Sequence, residues 1–126
     1  MFAEVKGMLP VSGDGYDAEI ITQIKACVRD LTATAEIVLP GTVSIKRTLE
    51  AATTSEPEHY VITDTSSLKD DYVIAVIATW CNMRIGNPPN YDQLLKAYES
   101  MKGQMRISSH YTNYGGGGGD ADADGD

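Results

Sequence analysis

Ten consecutive residues, Tyr72 to Cys81, carry no charged side chain and read Tyr-Val-Ile-Ala-Val-Ile-Ala-Thr-Trp-Cys. No other stretch of the chain constrains the fold as tightly, because a segment apolar on nearly every face must be covered from several sides. It is about half the length that crosses a bilayer, so it predicts a buried element of a folded domain. Taken locally, Val73 to Ile77 also fits a buried strand, but the flanking signals favour a central helix continuing to about Met83. Ser67 and Asp70 stand at capping-box spacing, and Asp70 and Asp71 place negative charge on the first turn. The segment Gly86-Asn87-Pro88-Pro89-Asn90 breaks the chain beyond it. Trp80, the only tryptophan, is expected to anchor the core.

The remaining elements must cover that helix. Phe2, Val5 and Leu9 fall at helical spacing and predict a short helix from Phe2 to Leu9, closed by Pro10. Asp17 reads as the N-cap of a long helix reaching Ile37, with Ile20, Ile24, Cys27, Val28, Leu31 and Ala35 as its buried stripe. After Pro40-Gly41 the period changes to two. Val43 to Leu49 and His59 to Thr63 predict the strands of a hairpin joined by a projecting loop, Ala51 to Pro57. Because an isolated hairpin is marginal in water, it must pack on the helices or on a neighbouring subunit. A last helix, Asp92 to Ile107, carries Leu94, Leu95, Tyr98, Met101 and Met105 on one face. The expected fold class is mainly α: a small helical bundle (residues 1–107) with an inserted β-hairpin or long loop (43–63) and an extended C-terminal arm (108–126). The arm ends in a Gly/Asp-rich tail whose composition cannot offset its ordering entropy, so a disordered tail is expected.

Length and charge narrow the class further. At 126 residues the chain is one small domain. Its net charge of -8 is unevenly placed: Asp120, Asp122, Asp124 and Asp126 lie in the tail, leaving 14 acids against 10 bases before it. The bases are scattered, which argues against broad binding to a phosphate backbone. Cys27 and Cys81 lack a CxxC pattern and read as small buried apolar residues in a reducing, cytoplasmic setting. The first residues include Glu4 and Lys6 and do not read as a signal peptide.

Catalytic, cofactor and metal residues are all expected to be none. His59 and His110 stand alone, and the glycine tract lacks the Lys-Ser/Thr ending of a phosphate loop. Asp120 to Asp126 matches the opening of a calcium loop but lacks the closing Glu, and reads as a solvated acidic segment. Tyr111 and Tyr114 lie outside the helical stripe, without an evident core partner, and are interface candidates.

The order of elements resembles the head-tail connector, or adaptor, proteins of tailed bacteriophages. The resemblance is carried by Asp70 to Trp80, the Gly86 to Pro89 break, Leu94 to Met105 and the close at Tyr111-Thr112. It implies a non-enzymatic structural virion protein. Such subunits form a ring, usually dodecameric, below the portal; the ring extends the DNA channel and docks the next neck or tail-completion protein. The resemblance further implies that Ser108, Ser109, His110, Tyr111, Thr112, Asn113 and Tyr114 meet the portal or another partner. Lys46, Arg47, His59 and Tyr60 on the hairpin would touch adjacent subunits or the channel. Double-stranded DNA would pass without specific binding, no membrane would be involved, and the protein would reside at the head-tail junction of the virion, or in host cytoplasm during assembly. The competing class is a small acidic monomeric binding or inhibitor protein that presents carboxylates to a basic partner.

Overall fold

The apolar run is the third of four helices in the computed structural model, which describes residues 1–108 and 110–112. The helices are α1 (Phe2–Gly7), α2 (Asp17–Arg29), α3 (Asp71–Arg84) and α4 (Tyr91–Ile107); between α2 and α3 lie β1 (Ile45–Glu50) and β2 (His59–Asp64). α3 packs against α1, α2 and α4. It buries Val73, Ile74, Val76, Ile77, Ala78, Cys81 and Met83, residues spread over most of its circumference. The helical reading of this run holds and the strand alternative does not.

Capping of α3 differs from the expectation in its register. Asp70 is itself the N-cap, its Oδ1 accepting from the Val73 N–H at 3.1 Å. Ser67 turns away, and its Oγ accepts from the Thr42 N–H at 2.8 Å. At the other end Gly86 (φ 80°) and Asn87 (φ 48°) take left-handed conformations and turn the chain into α4.

α1 stops at Gly7, two residues earlier than the apolar spacing suggests, although Leu9 is still buried. The long helix expected from Asp17 to Ile37 is interrupted. After Arg29 it widens into a π-turn over Asp30–Thr34, with the Ala35 N–H bonded to the Asp30 carbonyl at 3.0 Å. Glu36 then adopts φ 58° and ends it. Leu31 and Ala35 remain buried, and Ile37, past the turn at Glu36, is buried with its N–H donating to the Leu31 carbonyl at 2.9 Å. Asp17 does not cap α2. Tyr16 occupies that position, and Asp17 instead pairs with Lys6 Nζ at 2.6 Å, linking α1 to α2.

The hairpin is antiparallel, with Ile45 opposite Asp64, Arg47 opposite Ile62 and Leu49 opposite Tyr60. It is rooted by the buried Ile45, by the half-buried Ile62, and by Asp64, whose Oδ2 accepts from the Phe2 N–H at 2.7 Å. The two arms stay together below the strands, where the Ser67 and Leu68 N–H groups both reach the Thr42 carbonyl. Gly41 permits this approach: a Cβ there would lie 2.7 Å from Leu68 Cα, and its φ is 149°. On α4, Tyr98 and Met105 are buried and Leu94 and Met101 pack beside them, whereas Leu95 is exposed. Leu95 sits one residue, or about 100°, off the narrow seam that α4 offers to α3.

Two glycines give opposite expectations. Gly41→Ala should lower stability by about 2 kcal/mol or more, since both the backbone conformation and the Leu68 main chain resist a side chain. Gly103→Ala, in mid-helix with open space around it, should raise stability by about 0.5–1 kcal/mol. Chemical denaturation of both variants measures the two signs.

Candidate interaction surfaces

Three surfaces combine polar and apolar groups in ways the core does not require. The first is the segment after α4. Ser108 leaves the helix in an extended conformation, and the chain folds back so that the Val38 N–H donates to the Tyr111 carbonyl at 2.7 Å. The Tyr111 ring lies near that of Tyr72, centroids 6.4 Å apart, and its hydroxyl donates to Asp70 Oδ2 at 2.8 Å. His110 Nε2 lies 3.6 Å from the same oxygen. One carboxylate therefore caps α3 and holds the C-terminal segment.

Among the described residues of the expected arm, 108 and 110–112, the chain lies against the body. Tyr111 is only 8% exposed and belongs to the core, so it is not a freely presented partner residue. The reason is a contact across the fold: Asp70, fixed as a cap, offers its second oxygen to a tyrosine that can bury its ring against Tyr72. Ser108 and Thr112 are half-buried and His110 is exposed. Ser109, Asn113, Tyr114 and the Gly/Asp tail lie outside the described residues. Ile107, which the stripe does not include, is 79% exposed beside this segment.

The electrostatics follow the contacts. Burial pushes the Asp70 carboxyl up, but the Val73 N–H, the Tyr111 hydroxyl and the Tyr72 N–H outweigh it and hold the group below the ordinary carboxylate range. Burial and the bond to Asp70 push the Tyr111 phenol up to about 12.

The second surface is the hairpin. Alternation divides the four candidates between its faces: Arg47 and Tyr60 share one, Lys46 and His59 the other. The Arg47 guanidinium sits 3.4 Å from the centre of the Tyr60 ring. The face that carries Ile45 and Ile62 at its root carries Leu49 and Tyr60 towards its tip, 47% and 52% exposed. Leu49 was visible as apolar in the sequence, but its partnership with Tyr60 depends on a register that only the structure supplies.

The third surface lies along α2. Asp30 Oδ2, at the start of the π-turn, accepts from the Tyr98 hydroxyl at 2.5 Å and from Lys102 Nζ at 3.1 Å. Burial, then the neighbouring Cys27 and Asp30, pushes the Tyr98 phenol far above its ordinary value. Trp80 is not the core anchor that its uniqueness suggests. It is half-buried, its indole N–H donates to Gln23 Oε1 at 3.0 Å, and Arg84 covers its ring at 4.2 Å. An indole needs an acceptor, and Gln23 on the flank of α2 provides it outside the dry centre, where Tyr98 packs edge-on against Trp80. Thr22, Lys25, Ala26, Arg29 and Trp80 line a groove of about 510 Å³ beside it. Periodicity could not find this groove, because it forms between the outer flanks of two helices.

Both cysteines are free and buried, with burial pushing the Cys81 thiol up to about 12 and Cys27 still higher. Among the described residues no cluster of three or more His, Cys, Asp or Glu could hold a metal ion, and no helix is long and apolar enough to cross a membrane.

These features define a small domain of four helices with a two-stranded antiparallel hairpin and a C-terminal segment clamped to the start of α3. No protein family, no curated protein and no solved structure matches this chain.

Two measurements probe the clamp and the thiols. Tyr111→Phe should cost about 1–2 kcal/mol, because it removes a hydrogen bond to a charged, partly buried group. Asp70 has a lowered pKa in the folded state, so its contribution is present above the ordinary carboxylate pKa and is lost as pH falls through the folded value. The gap in thermal midpoint between the parent chain and Asp70→Asn should therefore be wide at neutral pH and close in acid. Neither thiol should react with a soluble disulfide reagent at pH 8 until denaturant is added, since only thiolate attacks.

Proposed function

We propose that the chain is a structural head-tail connector subunit that assembles with copies of itself into a ring below a portal. The ring would extend a DNA channel and dock a downstream neck or tail protein. The supporting observation is the exposed apolar pair Leu49 and Tyr60, which continues the buried face of the hairpin beyond the domain. In isolation the domain leaves that pair in water, and a neighbouring subunit would cover it. A ring uses such one-sided contacts, repeated by rotation until they close. Ile107 and His110, exposed at the C-terminal segment, offer a second contact region for the portal. Tyr111 then acts by fixing that region to the body.

In this reading, mixing the chain with a portal should give a particle carrying about a dozen copies by light scattering and negative-stain imaging. Leu49→Asp combined with Tyr60→Asp should preserve the circular dichroism spectrum of the domain while weakening assembly by about tenfold or more. A chain that stays monomeric beside the portal, yet binds a basic nucleic-acid enzyme, belongs to the acidic-inhibitor class instead.

A further inference from the structure

Lys25 and Arg29 stand one turn apart on α2, where with Trp80 they line the 510 Å³ groove. Asp30 is the only acidic residue lining the groove among the described residues, and it is already engaged by Tyr98 and Lys102. Arg84, stacked on the Trp80 ring, adds a third positive charge at the same indole. Among the described residues, no carboxylate forms an ion pair with Lys25, Arg29 or Arg84. The groove is a cationic, aromatic site on a chain whose net charge is -8.

The densest anion of this chain is its own Asp120-Ala121-Asp122-Ala123-Asp124-Gly125-Asp126, tied to the body through Gly115 to Gly119. In an extended segment alternate residues share one side and repeat every ~6.6–6.8 Å. Two residues four apart on a helix, such as Lys25 and Arg29, are separated by ~6 Å along the axis. The spacings agree closely enough for successive aspartates to meet the two cations. Reach is also sufficient. Eight residue steps lead from Thr112 to Asp120, a span of at most about 28 Å. The clamp at Tyr72 lies eight residues, or ~12 Å of helix, from Trp80.

We propose that the 120–126 segment docks in the groove of its own chain, its carboxylates meeting Lys25 and Arg29 over the edge of Trp80. Individual exposed ion pairs are weak, but a tether of this length holds the segment at about millimolar effective concentration. Docking is reversible and salt-sensitive. A nucleic acid is the poorer occupant, because three cations on an otherwise acidic body make a short phosphate track. The proposal concerns the isolated chain and does not rest on the connector reading.

Trp80, as the only tryptophan, reports on the groove directly. Quenching of its fluorescence by acrylamide, a neutral probe, should be measured on the full chain at low and high salt. At low salt a variant with Asp120, Asp122, Asp124 and Asp126 all changed to Asn should quench about twofold more steeply than the parent. The parent should rise to the same value at about 0.5 M salt, where screening is nearly complete. Lys25→Glu with Arg29→Glu should match the Asn variant, and adding Asp→Lys changes at the same four tail positions should restore protection. Equal quenching of parent and Asn variant at low salt overturns the proposal. Protection that scales with protein concentration reassigns the segment to a second copy, and protection that appears only with added duplex DNA assigns the groove to nucleic acid; either result also overturns it.

Discussion

Covering α3 on nearly every side is the constraint from which the rest of the structure follows. A helix whose buried residues span most of its circumference cannot lie on a surface, so α1, α2 and α4 are arranged around it. Each covering helix then needs only a narrow apolar seam, which is why α4 buries Tyr98 and Met105 but leaves Leu95 in water. The ends of α3 inherit the constraint. Its first turn must be capped where it enters the core, and Asp70 does so with one oxygen while holding Tyr111 with the other.

That double duty explains how far the sequence could be read. Helix positions and the hairpin are legible because hydrophobic period and Pro/Gly breaks are local properties, written in the same residues that form the elements. The cap register, the π-turn after Arg29 and the recruitment of Tyr111 depend on which groups meet across the fold. Asp17 illustrates the difference. Its position before an apolar stripe is a sound N-cap signal, yet Lys6, eleven residues earlier, offers a charge-assisted bond that draws the side chain away. Tyr111 carries no periodic signal at all; only its distant partners, Asp70 and Tyr72, bury it.

The interaction surfaces divide along the same line. His59, Lys46, Arg47 and Tyr60 are recognisable as a mixed polar and aromatic set in a hairpin, but pleating separates them into two faces with different chemistry. One face joins Arg47 and Tyr60 to the apolar pair at the tip. The other carries Lys46 and His59. A sequence reading that treats them as one group therefore merges a face that carries exposed apolar side chains with one that carries Lys46 and His59.

Charge completes the argument. A net charge of -8 suggests a uniformly acidic surface, but four of the carboxylates stand in one segment and three cations gather around Trp80. The body therefore carries a local cationic feature at Trp80 that the net charge conceals. The apolar face of the hairpin, with Leu49 and Tyr60, and the exposed Ile107 at the end of α4 are the surfaces on which covering would exclude most water from apolar groups.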